Sequence, residues 1–427
     1  MSIELLERTR ALLAQGKSAE ATSLLQAAMA RGGGNPAMYA MLGYAQYYSG
    51  HIRDAEATLK RGSDFFTYDP VIQEALARIR WLAGAGDAFA DDFIAAVNGR
   101  PSDASLRYRC AELLRLAGYP DRAEQMLRDG LARAPDQPVV MAALGVLLDE
   151  TGQLDEALAA NTAAARAYPG ETTLELNLAH TLLRMGRADE ALQRIGAVRR
   201  AEPDTQLAIT YEVMALKQAG DPRHDWLCDY QRHVQPFDIE APAGFSSVKA
   251  FNAEFGATLR ALMDAPVHPI EQSLRGGSQT SDNLIYSTHP LLQQYFRALD
   301  APIRAYIDSL GADPAHPLER RKTGRYALSG CWSVLLRPAG FHVNHTHPNG
   351  WISSSYYVSL PDSMSANSQE GWIKFGEPRW PVPGCGIERV VQPLEGRLVL
   401  FPSYMWHGTI PFSSGERMTA PFDVVAA

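Results

Sequence analysis

Seven glycines, Gly16, Gly50, Gly84, Gly118, Gly152, Gly186 and Gly220, follow one another at a constant interval through the first half of the chain. The interval of 34 residues demands one small supersecondary unit, repeated and stacked, because each unit alone cannot bury its apolar face. Five residues after most of these glycines stands an alanine, at Ala21, Ala55, Ala123, Ala157 and Ala191, with Phe89 as the departure. Pro135, Pro169 and Pro203 close three of the units. Each unit therefore reads as a helix, a turn at the glycine where positive φ is free of steric penalty, and a second helix whose alanine admits the first at close range. Proline ends the pair because it has no N–H to continue the ladder.

In the unit LGVLLDETGQLDEALAANTAAARAYP, a small residue, a turn glycine and an alanine fall on Gly145, Gly152 and Ala157. This pattern resembles the tetratricopeptide family, over roughly the first half of the chain. The resemblance implies an N-terminal all-α solenoid over residues 1–222, with six repeats and the opening helix of a seventh, curved around a concave groove. Such grooves hold peptides or protein segments, so a peptide or protein substrate in the groove is one expectation. The alternative is that the solenoid pairs the chain into a homodimer or only spaces its other half. The period breaks in DPRHDWLCDYQRHVQPFDIEAPAGF. Residues 223–239 read as a linker or cap in which Trp226 and Leu227 cover the last helix face, and residues 240–427 as a second domain.

Charge excludes one class of partner. Lys and Arg number 40 against 48 Asp and Glu, a net charge of −8 with neither half basic, so no nucleic-acid partner is expected. The chain has no run of 18 or more apolar residues, and charge interrupts the stretch where a signal peptide would be apolar. A cytoplasmic protein with no membrane partner is the expectation. Cys110, Cys228, Cys331 and Cys385 lie far apart with no CxxC spacing and read as buried thiols.

Beyond residue 240 the texture changes. Residues 248–263 and 290–310 carry helical spacing of apolar positions, and after 325 short β-rich runs follow: YALSGCWSVLLR, ISSSYYVSL, GWIKF, GRLVLF and RMTAPFDVV. Helices followed by many short strands predict an α+β sheet sandwich or jelly roll with helices on one side.

Four of the 11 histidines fall in FHVNHTHPNGW and FPSYMWHGTIPF. His345 and His347, two apart, project to one face if extended, and His407 arrives from a later strand. Three imidazoles leave positions open on a metal for substrate. Ten residues after His407 stands Arg417, with Thr419 on the same face; its planar fork suits a carboxylate, although a strand-edge arginine in a surface ion pair reads the same way.

Taken in order, HxH, a tyrosine-bearing strand, a glycine-led strand, and a histidine followed at ten by Arg-x-Thr resemble the iron(II)- and 2-oxoglutarate-dependent oxygenases. HTHPNGWISSSYYVSL, GWIKF and LEGRLVLFPSYMWHGTIPF are similar to the prolyl-hydroxylase-like branch. The C-terminal half looks most like the oxygenase family found fused to tetratricopeptide repeats in bacteria. The resemblance implies a double-stranded β-helix, Fe(II) on His345, His347 and His407, and 2-oxoglutarate and O2 as cosubstrates. It further implies that the distal carboxylate of 2-oxoglutarate lies on Arg417, with help from Thr419 and Tyr357, and that the reaction is hydroxylation of a C–H bond in a peptide, protein or amino acid.

One position departs from the family. Most of these oxygenases carry Asp or Glu where His347 stands, so His347 is either a third ligand or yields to water, as in the aspartyl β-hydroxylase type. Three histidines also suit a zinc hydrolase or an iron dioxygenase without 2-oxoglutarate, and a silent jelly roll would leave a repeat-based adaptor. His342, at odd separation from both partners, is expected on the opposite face as a structural residue, and Tyr356 in the core. Arg275 and Gln279 flank glycines in EQSLRGGSQT, which reads as a lid or a plain connection. Trp351 reads as a pocket wall or as packing.

Overall fold

The computed structural model describes residues 2–263, 269–270, 272–281, 283–362, 364 and 368–427. The seven periodic glycines all sit after a helix with φ between 65° and 89°. An L side chain there crowds its own carbonyl by about 1–2 kcal/mol, which is why the period is written in glycine. Helix pairs flank each turn: Ser2–Ala14 with Ser18–Gly32, Pro36–Tyr48 with Ile52–Phe65, Pro70–Leu82 with Asp91–Gly99, Ala104–Leu116 with Pro120–Arg133, Pro138–Thr151 with Leu154–Ala167, and Thr172–Arg184 with Ala188–Ala201. Gln206–Gln218 opens the seventh. The five alanines are fully buried. At Phe89 the second helix is shortened, and the ring fills the space, 5.4 Å from Trp81 and 5.8 Å from Tyr119.

The chain forms two compact units, one of Met1–Ala167 with Asp264–Gln272 and one of Tyr168–Met263 with Ser273–Ala427. The repeat period runs on to Gly220, so the last helices are repeats by sequence and belong to the second unit by packing. The reason is apolar burial: Ile209, Val213 and Leu216 share one core with Leu227, Tyr230, Tyr404 and Met405. Thr210 Oγ1 donates to the Tyr404 carbonyl at 2.7 Å within the same unit. Leu227 is buried as expected of a cap, whereas Trp226 remains 43% exposed with its Nε1 donating to Asp313.

The strands of the second unit are β1 (Gln235–Asp238), β2 (Leu274–Gln279), β3 (Tyr326–Cys331), β4 (Val334–His342), β5 (Ile352–Ser359), β6 (Ile373–Phe375), β7 (Arg389–Val391), β8 (Arg397–Pro402), β9 (His407–Thr409), β10 (Arg417–Thr419) and β11 (Phe422–Ala426). They pair antiparallel in the order β1-β8-β5-β10-β4-β2, with β11 joining β3 to β5, and in a smaller sheet β7-β6-β9. This is the jelly-roll region. Helices Val248–Ala261 and Pro290–Ser309 cover it through buried Phe251, Phe255, Tyr295 and Leu299. Tyr356 lies in this core, its hydroxyl donating to Asn252 Oδ1 at 2.7 Å.

Three segments differ from the sequence reading. The run from Arg417 to Val425 breaks into β10 and β11 because Pro421 has no N–H for a ladder; Ala420 donates to Tyr356 and the Pro421 carbonyl accepts from Trp332. The run from Tyr326 to Arg337 divides into β3 and β4. The segment read as a lid or connection is β2, paired with β4 from Leu274↔His342 to Gln279↔Val334; its first residue, Glu271, lies outside the described residues.

These two kinds of glycine predict opposite stability changes. Gly118, at φ 89° with open space around it, should lower the unfolding midpoint when changed to Ala, by about 1 kcal/mol. Gly196, inside helix Ala188–Ala201 and facing only the flexible tip of Arg200, should raise it by about 0.4–1 kcal/mol on the same change. Thermal and urea unfolding of the two variants check the signs.

Candidate metal centre

The site begins with two backbone hydrogen bonds. His345 N–H donates to the His407 carbonyl at 2.9 Å and His407 N–H returns one to His345 at 3.0 Å, while His347 N–H donates to Ser403 at 2.9 Å. These bonds bring the segment that follows β4 against the start of β9 and the turn before it. Candidate ligand atoms of His345, His347 and His407 all lie within 4.8 Å of one another, and their ring centroids are 4.2–5.2 Å apart.

Each ring is oriented by its other nitrogen. His345 Nδ1 bonds the Val343 carbonyl at 2.8 Å and His407 Nδ1 the Met405 carbonyl at 3.0 Å. His347 Nδ1 bonds the Asp423 carboxylate at 2.7 Å and 2.9 Å. Carbonyl and carboxylate oxygens only accept, so Nδ1 carries a proton in all three rings and Nε2 is the nitrogen left for a metal. Burial, and next the neighbouring His347, pushes the His345 pKa down to about 3. Burial, followed by His345 and His347, holds His407 well below the ordinary imidazole range. Imidazoles oriented through Nδ1 offer Nε2, the nitrogen a divalent ion takes, so the donor set fits a metal. Phe401, 4.6 Å from the His407 ring, and Phe375, 6.3 Å from it, supply an apolar wall.

On the neighbouring strand the Arg417 guanidinium is 2% exposed, and no carboxylate pairs with it among the described residues. Among the described residues its Nε lies within normal hydrogen-bond geometry of no acceptor, and the guanidinium carbon lies 4.9 Å over the Tyr357 ring. Burial depresses the Arg417 pKa from its usual value and raises that of Tyr357. Thr419 pairs with both Tyr357 and Val334, and Val334 with Gln279, so these four share one row and one face of the sheet.

The remaining expectations divide. Gln279 is in that row, and Arg275 lies nearer the start of β2, paired with Phe341, with Nη1 donating to the Leu274 carbonyl. Both belong to a strand, which removes the lid reading. Trp351 is a packing residue: it is buried and its Nε1 donates to the Leu318 carbonyl at 2.9 Å. His342 is not on the far face. Regular strand ends at His342, so parity beyond it fails, and the ring lies 5.8 Å from His345 with Nδ1 3.0 Å from Ser273 Oγ. The same hydroxyl is 3.3 Å from His345 Nε2. Sequence reasoning missed Ser273 and Asp423. The latter had a signal, since Asp423 interrupts the apolar strand FDVV and shares the parity of Arg417 and Thr419.

Sequence-family comparison shows what this region is similar to. Tetratricopeptide-repeat models match residues 12–79, 108–172 and 148–210, and the family described as "Putative 2OG-Fe(II) oxygenase" matches residues 330–423, which contain all three histidines and Arg417. The chain thus carries matches to tetratricopeptide-repeat models and, over residues 330–423, to this oxygenase family. The chain is 30% identical over 279 residues, 62% of its length, to "Cellulose synthase operon protein C" of Xanthomonas axonopodis pv. citri (strain 306), and covers only 18% of that protein. Among solved structures, a tetratricopeptide repeat protein from Parabacteroides merdae is 20% identical, with 52% of this chain and 88% of that one covered and a TM-score of 0.38. A prolyl-4-hydroxylase from Pseudomonas putida is 18% identical, with 47% and 96% covered and a TM-score of 0.32. Among the described residues, no helix of this repeat–oxygenase chain is long and apolar enough to cross a membrane.

The three oriented imidazoles predict stoichiometric metal binding. The purified chain should bind one equivalent of Co(II) in calorimetric titration, and His345→Ala or His407→Ala should abolish it while the unfolding midpoint changes little. Undiminished binding in either variant would remove that residue from the centre.

Proposed function

We propose that this chain is an iron(II)- and 2-oxoglutarate-dependent dioxygenase that hydroxylates a C–H bond of a peptide, protein or amino-acid substrate. The observation that carries the reading is the Arg417 guanidinium, buried without a carboxylate on the same face as the tyrosine–threonine row. An uncompensated buried cation is destabilising by several kcal/mol, so such a group is retained where a ligand anion completes it. A dicarboxylate with one end at Arg417 and the other at the three histidines answers both features, and a zinc hydrolase gives the guanidinium no task.

In this reading His345, His347 and His407 hold the metal through Nε2. Iron with 2-oxoglutarate and O2 supplies the oxidising chemistry, in which decarboxylation of the diacid to succinate accompanies hydroxylation. Arg417 binds the distal carboxylate with its fork, where low local polarity strengthens the charge pairing. The Tyr357 hydroxyl, beside the Arg417 guanidinium, is available to donate to the same carboxylate, and Thr419 adjoins it. Phe401 and Phe375 keep water from the His407 side. Gln279 shares the cosubstrate face, and Arg275 stands beside His342 as a substrate-side residue. By sequence period we assign residues 1–222 to the repeats, 223–239 to the linker and 240–427 to the oxygenase, and we assign the repeat groove to a peptide or protein segment of the substrate.

Arg417→Ala should raise the 2-oxoglutarate concentration needed for half-maximal succinate formation by about tenfold or more, the worth of a charged hydrogen-bonded pair, with Co(II) binding unchanged. Arg417→Lys should fall between, since an ammonium lacks the planar fork. An unaltered requirement in Arg417→Ala, or oxygen uptake without succinate, would overturn the assignment.

A further inference from the structure

Asp423 is the carboxylate that the three-histidine centre lacks among its own candidate ligands. Its two oxygens lie 2.7 Å and 2.9 Å from His347 Nδ1, and Ser353 Oγ donates to Oδ1 at 2.7 Å. Ser353 is in turn 2.8 Å from Ser403 Oγ, and Ser403 is the residue whose carbonyl accepts from His347 N–H. The side chain of Asp423 is 16% exposed, and no lysine or arginine pairs with it among the described residues. Its negative charge is therefore directed at one imidazole, the one standing where related oxygenases carry a carboxylate ligand.

We propose that Asp423 is a positioning residue that acts through His347, fixing its tautomer and lending the centre the anionic charge that a direct carboxylate supplies elsewhere. The inference rests on the reading of the three histidines as the metal centre. The physical argument is electrostatic. A divalent ion on His347 Nε2 makes Nδ1–H more acidic, and a carboxylate hydrogen-bonded to it answers with increased electron density on the ring. Three neutral imidazoles alone would leave the full charge of the ion uncompensated and its reduction potential high. Asp423 lies on β11 beside Ser353 of β5, a central pair of the sheet, so the carboxylate is held by register as well as by its hydrogen bonds.

Asparagine separates charge from shape, since its carbonyl can still accept from Nδ1. In the full chain, Asp423→Asn should weaken Co(II) binding by about 10–100-fold, the range found when such outer carboxylates are removed. It should also move the visible cobalt absorption and raise the midpoint potential of bound iron. Asp423→Glu should restore most of the affinity. Ser353→Ala, which loosens the carboxylate and keeps its charge, should give a smaller loss in the same direction and serves as the test if Asp423→Asn does not fold. Wild-type affinity, spectrum and potential in Asp423→Asn, or wild-type affinity in Ser353→Ala where only that variant folds, would overturn the inference and leave the metal centre standing. Failure of the wild-type chain to bind Co(II) would overturn the centre itself.

Discussion

The reciprocal backbone pair between His345 and His407 is the constraint on which the site depends. Because it is made by main-chain atoms, it fixes two histidines from segments about sixty residues apart at a distance that no side-chain contact has to maintain. The Ser403 carbonyl then holds His347 by the same means. With each Nδ1 engaged, the rings need no metal to select their tautomer or direction, so binding an ion involves little reorganisation.

Around these neutral rings the chain places one buried positive group and one partly buried negative group, both on the stretch from Arg417 to Asp423. Among the described residues, neither pairs with a lysine, arginine or carboxylate of opposite charge. Alone, each is a destabilising element. In the proposed reading, a divalent cation beside Asp423 and a dicarboxylate on Arg417 would bring the sum of the four charges to zero, which relates the two isolated groups to a single ternary arrangement. The break at Pro421 serves this arrangement: it ends β10 after Arg417 and Thr419 and starts β11, which pairs with β5 and so brings Asp423 beside Ser353.

Much of this was legible in the sequence because it rests on period and local chemistry. Glycine at every thirty-fourth position needs only one conformational rule, and the helix spacing of residues 248–263 and 290–310 needs only amphipathic burial. His345, His347, His407, Arg417, Thr419 and Tyr357 were singled out by the family resemblance that the order of motifs carries, and the fold gathers the three histidines. The failures are all places where regular geometry stops. His342 was assigned by alternation, but the strand ends at that residue. The segment Leu274–Gln279 looks like a loop through Gly276 and Gly277, yet Gly276 takes φ 68° within a bulged strand, and a Cβ on Gly277 would meet the Leu335 carbonyl at 2.3 Å. Asp423 and Ser273 reach the centre only through pairings between distant strands, which one sequence does not display.

The last repeat helices carry the argument from the site back to the scaffold. Tyr404 and Met405 immediately precede the ligand segment Trp406–His407, and both are buried with Ile209 and Val213 of helix Gln206–Gln218. The Tyr404 hydroxyl donates to the Leu227 carbonyl, while its own carbonyl accepts from Thr210. Gln218 Nε2 reaches the Pro383 carbonyl at 3.0 Å, and His180 packs its ring 5.6 Å from Trp380. The turn that presents His407 is therefore built on residues belonging by sequence to the repeats. A solenoid that merely spaced a separate enzyme would not need these bonds. Here the end of the repeat array packs directly under the turn that carries His407 of the candidate metal centre.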